Sequence, residues 1–217
     1  MNKLNLYPFC DKWLEKGGSI WIFSDPHFND PDNKIFNPNA PSTEELIKKI
    51  NSKCGKNDTL ICLGDVGDLE CIKKLRAGYK VLIKGNHDQV KFEGEDSDNK
   101  VFDEIYDGPV CIRKDIILSH EEVDFKYAFN IHGHDHKGDT LINTMFKLYD
   151  SDLNSKDYIK AQLNSIKEFN LKDMNCCFEW LGYNLLNLKD LIGSGILKNI
   201  TDIHKEYTNL VKKRKIK

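Results

Sequence analysis

The chain has no internal repeat, no Cys-x-x-Cys pair and no apolar run long enough to cross a membrane. Seven cysteines (10, 54, 62, 71, 111, 176 and 177) are odd in number and scattered, which argues against a disulfide framework and for a reducing compartment. Several sit inside apolar runs such as Ile61-Cys62-Leu63, where a thiol behaves as a small buried hydrophobe. An excess of one charge is also missing. The formal net charge of −2 sets up no global field toward nucleic acid or an anionic membrane. The one basic run, Lys212, Lys213, Arg214, Lys215 and Lys217, reads as a solvated end. No long apolar stretch follows the N-terminal Lys3, so the expected location is cytoplasmic, with no membrane partner.

What is present suits one folded unit. With 40% apolar and 30% charged residues, 217 residues can bury one good core. The expectation is a single domain over 1–217, with a helical insertion at 139–172 and a C-terminal amphipathic helix and basic tail at 196–217. Ser19–Phe23, Thr59–Leu63 and Tyr79–Lys84 read as buried strands. Ser42-Thr43-Glu44-Glu45 is a capping box that opens a helix to about Lys53, and a second helix is expected over Leu69–Arg76. This alternation predicts a parallel α/β sheet with right-handed crossovers. Short strands are then expected at Val101–Tyr106, Val110–Arg113, Ile116–Leu118 and Ala128–Ile131, with a hairpin turn at Lys114-Asp115. Another strand is expected at Met174–Trp180, and a short helix capped by Asn187.

Polar motifs end the apolar runs: Asp25-Pro26-His27, Gly64-Asp65-Val66-Gly67-Asp68, Gly85-Asn86-His87-Asp88 and Gly133-His134-Asp135-His136. In an open α/β sheet the loops at the strands' carboxyl ends converge on one edge, where ligands bind. Asp25, Asp65 and Asn86 are therefore expected to meet there. Mixed Asp, Asn and His ligands without thiolate argue against structural zinc and for a catalytic pair of borderline divalent metals, which suits attack on phosphate esters. Any one of these motifs alone is an ordinary turn or a stray histidine. The ordered set is not.

That ordered set resembles the calcineurin-like metallophosphoesterase superfamily, over roughly Ile20 to Ile192. The resemblance implies a four-layer fold: two packed mixed β-sheets flanked by helices, with a dimetal site at one sheet edge. It implies two divalent metal ions, Mn²⁺ first, with Fe, Zn²⁺, Ni²⁺ or Mg²⁺ also accepted. Asp25, His27 and His136 would bind one metal, and Asn86, His120 and His134 the other, with Asp65 bridging. The frame is Gly-His-x-His, which leaves His132 outside the ligand set and turns Asp135 away. The nucleophile would be a hydroxide shared by the metals. His87 would protonate the leaving oxygen, and Asp88 would orient its imidazole or raise its pKa. Asp68 is either a further family acid or the cap of the helix after it.

The Arg residues with which Ser/Thr protein phosphatases of the superfamily clamp a monoester are missing after Asp65 and before Gly85. Small bacterial or phage phosphoesterases, which open with Ser-Asp-x-His-Phe, are the nearer look (Ser24–Phe28, with Asn175-Cys176-Cys177-Phe178-Glu179 after the His cluster). The expected substrate is a small phosphate ester or nucleotide, most readily a phosphodiester. A nuclease acting on ends or single strands, a phosphomonoesterase and a non-catalytic scaffold are the alternatives. The oligomeric state is open. The 139–172 segment could cap the metal edge, and Phe28, Asn29, Trp180 and Tyr183 could touch a base or leaving group.

Overall fold

Three apolar runs become the inner strands of one sheet in the computed structural model, which describes residues 13, 17–33, 40–88, 101–113, 115–124, 128–136 and 157–200. These are β1 (Ile20–Phe23), β2 (Thr59–Cys62) and β3 (Tyr79–Ile83), paired in parallel, with β4 (Glu104–Tyr106) parallel to β3 at the edge. Every residue of β2 is buried, as a central parallel strand covered on both faces requires. A two-residue strand at Leu186–Asn187, here β9, runs antiparallel beside β1 and completes the order β4-β3-β2-β1-β9.

The second sheet has the order β5-β6-β7-β8, with β5 at Val110–Arg113, β6 at Ile116–Leu118, β7 at Phe129–His132 and β8 at Asp173–Asn175. β5 and β6 form the expected antiparallel hairpin, and the other pairs are parallel. Both sheets are mixed. They share one buried cluster, to which Ile22, Leu60 and Val81 come from the first sheet and Ile116, Leu118, Phe129 and Ile131 from the second. The chain leaving β8 ties the two sheets together. The Cys176 N–H donates to His132 O at 2.7 Å, the Ser24 N–H to Cys176 O at 2.8 Å, and the Phe178 N–H to Ser24 O at 3.1 Å.

Helices flank the sheets. In α1 (Thr43–Lys53) the capping box forms as the sequence predicts: the Glu45 N–H donates to Ser42 Oγ at 3.3 Å and the Ser42 N–H to Glu45 Oε2 at 2.8 Å. Leu46 and Ile50 bury its inner face. α2 is only Glu70–Lys73, shorter than expected. Its end tightens into i→i+3 bonds, Lys74 N–H to Cys71 O and Leu75 N–H to Ile72 O, and the Arg76 N–H goes to the Asn51 side chain instead. α3 (Asp157–Phe169) buries Ile166 and donates from Gln162 Nε2 to Trp180 O at 2.6 Å. It belongs to the described part of the expected insertion, and 139–156 lies outside the described residues. α4 (Leu188–Gly193) starts at Asn187, whose Oδ1 accepts the Lys189 N–H at 2.9 Å. A 3₁₀ turn at Ile196–Asn199 follows; the helix expected beyond it falls outside the described residues. Among the described residues no helix is long and apolar enough to cross a membrane.

Two expected strands are shorter than the apolar runs suggest. Val101 and Phe102 are buried but precede β4, which begins only at Glu104, after the Asp103 carboxylate has taken the Lys80 N–H at 2.7 Å. β8 stops at Asn175, whose side chain accepts the Cys177 N–H at 2.8 Å and turns the chain. Ser42→Ala removes one arm of the α1 cap, so the urea midpoint should fall by about 1 kcal/mol of stability with an unchanged m-value.

Candidate metal centre

Each candidate ligand follows the carboxyl end of a parallel strand. Asp25 and His27 follow β1, Asp65 follows β2, Asn86 and His87 follow β3, His120 follows β6, and His134 and His136 follow β7. The first two loops are laced together through their backbones. The Asp25 N–H donates to Gly64 O at 3.1 Å, His27 N–H to Asp65 O at 3.1 Å, and Phe28 N–H to Val66 O at 2.9 Å. The fit is so close that side chains are excluded at Gly64, Gly67, Gly85 and Gly133. A Cβ on Gly133 would sit 1.9 Å from Ser24 Oγ and 2.3 Å from Asp25 Oδ2, and one on Gly85 would sit 2.1 Å from Asp65 Oδ1. Four ligand candidates occupy left-handed backbone: Asp25 (φ 55°), His27 (41°), Asp65 (51°) and His134 (69°). Such conformations cost about 1–3 kcal/mol each and gather at functional sites.

Two groups of ligand atoms result: Asp25, His27 and His136 in one, and Asp65, His120 and His134 in the other, with the atoms of each within 4.8 Å of one another. Asn86 joins the second group, its Oδ1 2.9 Å from His120 Nε2. Asp65 Oδ2 faces both groups, 3.6 Å from His120 Nε2 and 3.9 Å from His27 Nε2. The second oxygen of each acid is already engaged. Asp25 Oδ2 accepts from the His134 N–H at 2.9 Å and from Cys177 Sγ at 3.2 Å, and Asp65 Oδ1 accepts the His87 N–H at 3.0 Å.

The protonation pattern tests whether cations fit. His27 Nδ1 lies 3.2 Å from Asp30 Oδ2 and His136 Nδ1 2.5 Å from Glu179 Oε1, so each Nδ1–H is directed to a carboxylate. That leaves both Nε2 atoms as lone pairs, yet they face each other at 3.2 Å. His120 repeats the pattern. Its Nδ1–H donates to Leu63 O at 2.8 Å, while its Nε2 faces Asn86 Oδ1 at 2.9 Å and His134 Nδ1 at 3.1 Å. Asp25 Oδ1 is buried and has no hydrogen-bond donor. Acceptors held this close repel one another unless a proton or a cation lies between them, and the N/O donor set suits a borderline divalent cation.

Without a cation, a proton takes that place. Burial disfavours the His136 imidazolium, but the carboxylates of Asp25 and Glu179, 3.4 and 2.5 Å from its ring nitrogens, outweigh it and lift the pKa to about 10. Burial would raise Asp25, but His136 and the charge of His120 bring it down to about 2.

Other expected residues separate clearly. His132 is buried beside Gly133 O and Asp173, outside both groups. The Asp135 carbonyl, not its carboxylate, is engaged, accepting from Asn175 and Trp180. Asp68 stands just ahead of α2, whose N-cap is Leu69; its Oδ1 takes the Glu70 N–H at 3.0 Å while Oδ2 takes Asn29 Nδ2 at 2.8 Å. Phe28 is buried in the core, Trp180 is held by Asp135, and Tyr183 packs by Phe178 beneath Lys49. Asp88 differs from expectation. Its oxygens accept the N–H groups of Asp65 (2.8 Å), Val66 (3.1 Å) and Gly85 (2.9 Å), not a proton of the His87 imidazole. The reason is its depth: Asp88 is wholly buried, while the His87 side chain is 68% exposed. Sequence reasoning missed Asp30, Glu179 and Cys177 as supports of the ligands. Asp30 had a signal, the spacing His-x-x-Asp within one loop; Glu179 and Cys177 lie 43 and 152 residues along the chain from the ligand candidates they touch.

Metal uptake at pH 8 should therefore release about one proton from His136, read with an indicator dye in weak buffer. The same linkage governs the metal-free protein. His136 is raised, so its contribution is complete below its ordinary 6.5 and fades as pH climbs toward about 10. Asp25 is depressed, so its contribution is complete above 3.8 and is lost as pH falls toward about 2. Urea unfolding in chelator should show stability declining from pH 6.5 to 9.5, and Mn²⁺ should remove that decline.

A family model described as calcineurin-like phosphoesterase matches residues 18–175. No curated protein matches the chain. Among solved structures, one similar fold is a protein of unknown function from Aquifex aeolicus, with TM-score 0.51 and 20% identity over 81% of this chain and 98% of that one; this is a likeness of fold alone. The nuclease MPE from Pseudomonas putida aligns with TM-score 0.37 and 21% identity over 54% of this chain and 61% of its own, too slight to argue from. The family match covers the strands and loops that carry all seven ligand candidates, and the two mixed sheets with flanking helices are the expected fold. The chain belongs to the calcineurin-like phosphoesterase family, metal-dependent enzymes that hydrolyse phosphate esters.

Proposed function

We propose that this chain is a dinuclear phosphodiesterase that uses Mn²⁺. The observation that carries the reading is the pair of ligand groups with Asp65 Oδ2 facing both. Asp25, His27 and His136 would hold one cation, Asn86, His120 and His134 the second, and Asp65 would serve both. When bound, paired divalent cations make a water acidic enough to attack near neutral pH and neutralise the phosphate oxygens.

The protein supplies the rest. Asp30 and Glu179 fix the rings of His27 and His136 through Nδ1, so that Nε2 points inward. The backbone of His87 is pinned to Asp65 Oδ1, while its imidazole projects to solvent with Nε2 4.0 Å from Asp65 Oδ2. From there Nε2–H would give its proton to the departing alcohol oxygen. A diester carries one negative charge where a monoester carries two, and the loops Gly64–Leu69 and Gly85–Asp88 contain no arginine or lysine to clamp a dianion. Lys84, just before Gly85, is 2.8 Å from Asp107. The described cysteines are free thiols, in keeping with a reducing, cytoplasmic setting. Residues 1–217 are taken as one domain.

Bis-p-nitrophenyl phosphate and p-nitrophenyl phosphate, each with Mn²⁺ and with chelator, test the reading. Metal-dependent cleavage with diester preference is expected; monoester preference would move the assignment to a phosphatase. Asp65→Asn should lower turnover by at least about 100-fold, more than the loss of an outer hydrogen bond to a ligand. His87→Ala should cost about 10²-fold or more with an alkyl leaving group and far less with nitrophenolate, which needs little protonation. Equal losses across leaving groups would refute the proton-donor role.

A further inference from the structure

Asp88 is a carboxylate with no exposed surface, at the end of the turn in which its own N–H donates to Gly85 O at 3.2 Å. Among the described residues its side-chain partners are backbone amides. Oδ2 accepts from Asp65 N–H at 2.8 Å and Gly85 N–H at 2.9 Å, and Oδ1 from Val66 N–H at 3.1 Å. Those donors belong to two loops, one after β2 that supplies Asp65 and one after β3 that supplies Asn86. The tie is reciprocal, because Asp65 Oδ1 accepts the His87 N–H at 3.0 Å from the loop of Asp88. Committing Oδ1 to that bond leaves Oδ2 as the oxygen that faces the ligand nitrogens.

We propose that Asp88 is a positioning residue that assembles the second cation site by locking the Asp65 loop to the Asn86 loop, and is not the partner of the His87 imidazole. The proposal rests on the two-cation reading above. The side chain has to be a carboxylate of this length. Three N–H donors converge on it, so an asparagine would set its own NH₂ against at least one of them, and a glutamate would drive a further methylene into a space that is already filled.

The test is Mn²⁺ titration of metal-free wild type, Asp88→Asn, Asn86→Ala and His27→Ala, followed by electron paramagnetic resonance, with far-UV circular dichroism to verify folding. Asp88→Asn should follow Asn86→Ala: the dissociation constant that Asn86→Ala weakens should rise about 10–100-fold, and by more than the one that His27→Ala weakens. A folded Asp88→Asn that binds two cations with wild-type constants, or loses both equally, overturns the proposal. Wild type binding a single Mn²⁺ would instead count against the dinuclear reading. Hydrogen exchange of metal-free wild type then decides Asp88 by itself, as it does if the variant fails to fold. The amides of Asp65, Val66 and Gly85 should exchange at least about 100-fold more slowly than unbonded loop amides. Fast exchange at these three positions overturns the lock.

Discussion

Polar atoms of candidate ligands held to face one another are the constraint around which this edge of the fold is arranged. His27 and His136 oppose their Nε2 atoms at 3.2 Å, and His120 Nε2 lies as near to Asn86 Oδ1 and His134 Nδ1. Left to themselves these side chains would rotate apart. They are prevented from the other end of each ring, where Asp30, Glu179 and the Leu63 carbonyl hold the Nδ1 atoms. The acids are restrained in the same way, with one oxygen of Asp25 and one of Asp65 taken by backbone N–H groups of other ligand loops. The same closeness raises the pKa of His136 and lowers that of Asp25.

The backbone carries the matching cost. Four candidate ligand residues stand in left-handed conformations at about 1–3 kcal/mol each. Hydrogen bonds from amides to charged carboxylates contribute about 1.5–3 kcal/mol each, the same order. Asp88, Asp65 and Asp25 supply several of them between the strained loops. Strain and restraint thus sit in the same few residues. Beneath them the shared apolar core of the two sheets fixes where the strand ends lie, so that loops from both sheets meet above it.

Much of this was legible in the order of residues. The buried strands β1 to β3 announce themselves as apolar runs, the α1 cap as Ser-x-x-Glu, and the ligand set as polar motifs ending those runs. His132 lies in buried β7, while His134 and His136 fall in the two groups of candidate ligand atoms. What escaped was short or distant. β9 is two residues long and has no periodicity to detect. Leu69–Arg76 is apolar enough for a longer helix, but its last amides find turn and side-chain acceptors instead. Asp88 reads naturally as the neighbour of His87, since adjacency in sequence suggests contact. Adjacent side chains in a tight turn point in different directions, and here one goes inward and the other outward.

The sequence by itself determined the elements and the donor chemistry, because period and side-chain type are local properties: which runs can be buried, and which loops carry Asp, Asn and His. The division of those donors into two groups was already expected from the family resemblance; only the tertiary structure decided which oxygen of each acid is free and which residues hold the donors in place. Those outcomes depend on contacts between strand ends more than 100 residues apart, such as Asp25 with His134 and Cys177, and on a depth of burial that no single segment encodes.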